Sequence, residues 1–460
     1  MATTQAYLQT HQDRFLDELK AFLRIPSVST APQYAEDVRR AAQFVQQKLL
    51  QVGADRAELL ETVGYPLVYA EKMVNSQLPT VLFYGHYDVQ PADPYDLWDQ
   101  PPFEPIIKNG KIYARGASDD KGQVYIHIKA LETMLAVGNL PCNIKFIIEG
   151  EEESGSRGIA DFLRQPDNVQ LLQADAILVS DTSLHSPSQP AIVTGMRGIV
   201  AFEVEVTGPN KDLHSGAYGG AVGNPINILC QMMAALHDQD RRITIPGFYD
   251  RVATPDAALR AALAQTPFDL AQYQQDLDIA AVIGEKGFST IERTSIRPTL
   301  DINGIWGGYT GPGGKTVLPA KAYAKLSMRL VPGQIAQEVI TQFTNYLHAL
   351  APPGIRVNID VQEGYDAALF SSDALAIKAA SQAFEAVWGQ KPIQVRGGGS
   401  LPILGQLQQA LGCDVAMMGF GLDSDAIHSP NEHFVVDHFY KGIKTIIAFY
   451  DAFAALHAAT

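Results

Sequence analysis

The strand-like stretches of this 460-residue chain come in two kinds, and that division limits its fold more than any other feature. VLFYG (81–85), KFIIEG (145–150), DAILVS (175–180) and DVAMMGFG (414–421) are short, uninterrupted apolar runs. A strand of that kind has no polar side to turn to water. Both of its faces must be covered, as in a parallel sheet packed between helices. A helical stretch, QVYIHIKALETML (123–135), precedes the second run, as a crossover between parallel strands requires. By contrast, FEVEVTG (202–208), AKLSMRLVPG (324–333) and VNIDVQEG (357–364) alternate apolar with polar, which suits a sheet wetted on one face. Between the last two, Ile335, Val339, Phe343, Tyr346 and Leu350 form a helical stripe that APPG ends. The pattern predicts an α/β domain over residues 1–194 and 371–460, with an open, mostly parallel sheet and helices on both faces. A smaller α+β domain, residues 195–370, is inserted into it.

Composition narrows the function. No apolar run reaches the eighteen residues a membrane span needs, so no membrane partner is expected. Leu8, Phe15, Leu19 and Phe22 fall at helical spacing, so the first segment reads as a helix packed on the core and not as a signal peptide. A formal charge of −15 argues against a nucleic-acid partner, which would need a basic footprint. Cys142, Cys230 and Cys413 are far apart and form no C-x-x-C pair. That excludes a thiolate zinc site and suits a reducing cytoplasm.

Chemistry gathers where the buried runs stop. His86 and Asp88 follow the first run; Glu151, Glu152 and Glu153 follow the second; Asp181 follows the third. The fourth leads through LDSDAI to His428, and YARGASDDKG puts Asp119 and Asp120 in a turn ahead of a helix. In open α/β sheets the ligand crevice lies outside the carboxyl ends of the strands, so these segments can converge. Two imidazoles with several carboxylates suit zinc, manganese or cobalt, and the carboxylates are too many for one tetrahedral ion. Two ions sharing one carboxylate fit better. A histidine ligand commonly gives its other ring N–H to an outer acceptor, and Asp88 is the natural candidate. Each piece also has an ordinary reading: a packed histidine, a solvated acidic helix start, a turn with a helix cap. Only their common position after buried strands joins them.

At these residues the sequence resembles the dinuclear-metal exopeptidases, a family that includes carnosinase-like cytosolic dipeptidases, aminoacylases and glutamate carboxypeptidase. GHYDVQP, RGASDDKG, EGEEESGS, LVSDTS, KDLHSGAYGG, GGYTGPGGKTVLPAK, MRLVPGQ, RGGGSLP and AIHSPNE appear in the family's order, and the likeness is greatest to the dipeptidase branch. The resemblance implies that His86 and Asp181 bind one divalent metal, Glu153 and His428 a second, and that Asp119 bridges both. Zinc is the first choice and manganese the second. It makes Glu152 the general base and acid, and Asp88 the partner of His86. It implies that the inserted domain is a lid that also forms a homodimer, with His214 polarising the scissile carbonyl of the neighbouring subunit's substrate and Thr316 beside it as a substrate-binding residue. Arg329 and Ser400 would hold the substrate carboxylate. Asp181, where carboxypeptidases and aminoacylases tend to carry Glu, favours the dipeptidase branch. RGGGS departs from that branch: Gly397 and Gly398 stand where an acid often occurs. The expectation is a cytoplasmic, homodimeric dipeptidase acting on small peptides with free termini. The alternative is a carboxypeptidase or N-acyl-amino-acid amidohydrolase on the same scaffold.

Overall fold

The computed structural model describes residues 3–399 and 401–460. The chain divides into two compact units. The first takes the residues up to Thr194, Phe370–Val395 and those from Gln406 on; the second takes Gly195–Leu369 and Arg396–Gly405.

In the first unit the apolar runs become the strands Thr80–His86, Asn143–Glu149, Ala176–Val179 and Asp414–Met417, with nearly every residue buried. Asn143–Glu149 and Ala176–Val179 flank Thr80–His86, and Asp414–Met417 lies beyond Ala176–Val179, all parallel. Leu67–Lys72 and then Arg56–Leu60 extend the sheet antiparallel, so it is parallel only at its centre. One core joins these strands to the helices Thr4–Leu23, Ala35–Val52, Lys121–Val137, Leu375–Trp388 and Val436–His457. The first helix buries Leu8, Phe15, Leu19 and Phe22, as their spacing predicts. Each such side chain contributes roughly 1.5–3 kcal/mol.

Two glycines allow close approaches. A Cβ on Gly122, in the first turn of Lys121–Val137, would stand 2.0 Å from the Ala117 carbonyl oxygen, so the DDKG turn can close only without one. The run 414–421 is a strand only as far as Met417. Gly419 lies where a Cβ would meet the Thr182 carbonyl at 1.9 Å, and the Gln123 side chain accepts the Phe420 N–H at 2.8 Å. The chain therefore leaves the sheet there. Among the described residues no helix is long and apolar enough to cross a membrane.

The second unit holds a four-stranded antiparallel sheet in the order Thr299–Gly307, Lys321–Leu330, Gly198–Thr207, Arg356–Tyr365. Val200, Phe202, Val204 and Val206 point into a core closed by the helices Pro225–Ala235 and Ala336–Leu350. Val339 and Phe343 bury their stripe, but Ile335 stands before the helix and is exposed; Leu347 takes a buried place in its stead.

Candidate metal centre

The register of the parallel strands brings their ends level. His86 pairs with Glu149, Tyr84 with Val179, and Val179 with Met417. The loops that follow therefore leave from one edge of the sheet. They carry His86 with Asp88, Glu152 with Glu153, Asp181, and His428. Asp119 reaches the same place from the turn ahead of Lys121–Val137.

These side chains meet as two triads, His86–Asp119–Asp181 and Asp119–Glu153–His428, each with its donor atoms within 4.8 Å of one another. Asp119 belongs to both. Its Oδ1 lies 3.1 Å from His86 Nε2, and its Oδ2 lies 2.9 Å from His428 Nε2. Asp181 Oδ2 is 3.8 Å from His86 Nε2, and Glu153 Oε1 is 3.2 Å from His428 Nε2. His86 turns its other nitrogen, Nδ1, to Asp88, with the main-chain oxygen at 3.1 Å and carboxylate Oδ1 at 3.3 Å. The buried Asp88 carboxylate also accepts from Ser29 Oγ (2.6 Å) and from the backbone N–H groups of Glu153 (3.1 Å) and Glu152 (3.3 Å). It thus fixes both the first histidine and the turn that presents the two glutamates.

A second buried carboxylate does the same for the other side of the site. Glu432 Oε2 accepts from Arg115 Nη1 (2.7 Å) and Gly116 N (2.9 Å), and its Oε1 from Ser118 N (3.0 Å) and Asp119 N (3.1 Å). Arg115 Nη2 in turn donates to the Pro91 carbonyl at 3.0 Å, reaching the loop after His86. Glu432 was not among the residues singled out in the sequence. Its only signal is its place four residues after His428 in HSPNE, because its partners lie more than 300 residues away.

The electrostatics show what the cluster needs. Burial, and then the charge of Asp119, push Asp181 up to about 7. Burial, supported by Asp181, Glu153 and Asp119 against His86, raises Glu152 well above the carboxylate range. Burial opposes ionisation of Asp119 too, but hydrogen bonds from His428 and His86 hold it well below its ordinary value. The adjacent carboxylates of Asp119 and then Glu153 lift His428 to about 10. Acids packed this closely cannot all ionise unless cations offset them. Glu153 Oε1 is moreover buried without a well-aligned hydrogen bond among the described residues. Nitrogen and oxygen donors, one shared carboxylate and an excess of negative charge together fit two divalent cations.

The other sequence-derived residues lie in the second unit. His214, exposed, pairs with Val317 on a short antiparallel ribbon, and Ser215 N donates to Thr316 O at 3.0 Å, so His214 and Thr316 are brought together. Arg329 is half-buried near the end of Lys321–Leu330, paired in register with Ile199 and Thr299. Ser400 lies outside the described residues.

The model of the peptidase family M20/M25/M40 matches residues 82–452, most of the chain. The chain belongs to this family. It is 31% identical over 470 residues to the Beta-Ala-His dipeptidase of Rattus norvegicus, covering 98% of this chain and 95% of that one. It is 32% identical over 468 residues to the Cys-Gly metallodipeptidase dug1 of Schizosaccharomyces pombe, covering 97% and 96%. Among solved structures, the metallo-carboxypeptidase Sso-CP2 of Sulfolobus solfataricus superposes with a TM-score of 0.88 at 32% identity, covering 96% and 99%. Membership of this family agrees with the two triads, whose donor atoms could hold divalent metal.

Proposed function

We propose that the chain is a metal-dependent dipeptidase that hydrolyses the peptide bond of dipeptides with free termini. The observation that carries this reading is Asp119, whose two carboxylate oxygens each face a different histidine. His86 and Asp181 would hold one ion and Glu153 and His428 the other, with Asp119 placed to serve both. Zinc suits this donor set best, and manganese is accepted by the same donors. When bound, the pair would supply Lewis-acid chemistry, acidifying the attacking water and drawing electron density from the scissile carbonyl. Glu152, held by the Asp88-anchored turn, takes a proton from the attacking water and passes it to the leaving amine. Asp88 keeps the His86 ring oriented. His214 and Thr316 donate to the carbonyl oxygen as charge develops on it. Arg329, with Ser400, receives the substrate carboxylate. The second unit is assigned the role of a lid that pairs two chains, and three free cysteines are consistent with a cytoplasmic setting. The Glu152→Gln variant tests the mechanism: it should keep two metals per chain while losing about 10²–10⁴-fold in turnover. Near-normal turnover with both metals bound would refute it.

A second reading has its own support. The likeness to a metallo-carboxypeptidase, and Gly397 where dipeptidases often carry an acid, favour release of a C-terminal residue from longer peptides. A panel of dipeptides, tetrapeptides and N-acetyl amino acids separates the readings by which class is turned over fastest.

A further inference from the structure

The sheet of the second unit has one face closed by helices. Its other face carries Ser327 and Arg329 opposite the core residues Leu326 and Met328. Beside this face lies a cavity of about 650 Å³, within the size range of small-molecule sites. Among the described residues, five arginines and one histidine line it beside two carboxylates, Glu285 and Asp301. That concentration of positive charge is notable in a chain whose formal net charge is −15. One of the carboxylates is already committed: Glu285 meets Arg297 in two hydrogen bonds of 2.8 Å each, and the Arg297 guanidinium also lies 4.2 Å over the Phe288 ring. Arg197, Arg241, Arg293, Arg329 and His237 then share the remaining lining with Asp301.

Arg197 ties the cavity to the substrate machinery. Its Nε donates to the Gly398 carbonyl in the glycine loop at 2.8 Å, and its Nη1 reaches the Arg293 carbonyl at 3.5 Å. Arg293 Nε is itself held by the Glu285 carbonyl at 2.9 Å. Burial, and next the nearby charge of Arg329, press the Arg197 guanidinium down to about 10, which leaves it charged at neutral pH. Burial lowers His237, so near neutrality it offers one N–H and no charge. Several guanidinia lining one cavity form a site for an anion with more than one negative group.

We propose that this cavity receives an acidic side chain on the C-terminal residue of the substrate, so that dipeptides ending in Glu or Asp are preferred. The proposal rests on the assignment of Arg329 to the substrate carboxylate. With that carboxylate on Arg329, the side chain borne by the same Cα enters the space beside it. There Arg197, Arg241 and Arg293 supply charge and His237 a donor.

Isosteric substrate pairs test the preference. The metal-loaded enzyme should hydrolyse Ala-Glu about 10–100-fold more efficiently in kcat/KM than Ala-Gln, the worth of one charge-assisted contact. The Arg241→Gln and Arg293→Gln variants should narrow that ratio. Arg241 is exposed, so its replacement does not put folding at stake. A ratio of one or below, or a ratio that neither variant changes, overturns the proposal. Calorimetry with N-acetylglutamate against N-acetylglutamine reads the same preference without turnover. Equal binding there refutes a pocket for acidic side chains. If the acidic ligand is preferred but no dipeptide is hydrolysed, the dipeptidase reading fails and the pocket stands.

Discussion

The candidate metal centre of the first unit and the cavity of the second are opposite in charge and in the way they are supported. In the first, acids crowd at the end of a parallel sheet, held by two further buried carboxylates, Asp88 and Glu432, that accept main-chain N–H groups. In the second, guanidinia gather beside an antiparallel sheet, and neutral main-chain carbonyls hold Arg197 and Arg293 in place. A carboxylate can anchor a loop by accepting from its amides; a guanidinium can be anchored by donating to its carbonyls. Each region thus uses the backbone to gather groups of mostly one sign, and each is suited to a ligand of the other.

The comparison can be broken most severely at the residue common to both triads. Asp119→Ala should take bound metal from two ions per chain to fewer than one by elemental analysis. Turnover should fall by more than the roughly 10²–10⁴-fold expected for Glu152→Gln. Retention of two tightly bound ions would show that the triads are not linked through this carboxylate. Next come the anchoring carboxylates. Asp88→Ala and Glu432→Gln should each weaken metal binding by about 10–100-fold, read by competition with a chromogenic chelator. Glu432→Gln should also lower stability by ~3–5 kcal/mol in denaturant titration, because Arg115, itself buried, loses its countercharge. Adding Arg115→Met should restore part of that stability and none of the metal affinity, since Ser118 N–H and Asp119 N–H still lack the carboxylate. Recovery of both together would make Glu432 a packing residue and nothing more. The smallest effect belongs to the cavity: raising ionic strength should shrink the Ala-Glu to Ala-Gln ratio by a few-fold through screening.

The two regions also differed in how far they could be read in advance. The ligand candidates follow a continuous apolar run, directly or through a short loop, or precede a helix, so local pattern gathered His86, the Asp119–Asp120 pair, Glu151 to Glu153, Asp181 and His428, while only the family resemblance chose Asp119 and Glu153 among their neighbours. Asp88 was within reach too, two residues from the histidine it orients. Glu432 was not, because its meaning depends on amides that only the folded chain brings near. The cavity was harder still. Arg197, Arg241, Arg293 and Arg329 are scattered over more than a hundred residues, and on an alternating strand an arginine looks like any solvated position. The turn at Gly419 escaped for the opposite reason: an apolar run disguised a bend that a close approach to Thr182 enforces.

The distant bond from Glu432 to Asp119 also bears on biosynthesis. A chain emerging from the ribosome presents His86, Asp119, Glu153 and Asp181 long before His428 and Glu432 exist. Until that late segment arrives, the Asp119 turn has no anchor and the second triad lacks its histidine. Of the two triads, only His86–Asp119–Asp181 therefore has all its residues before the closing stretch of translation, and the second is completed last.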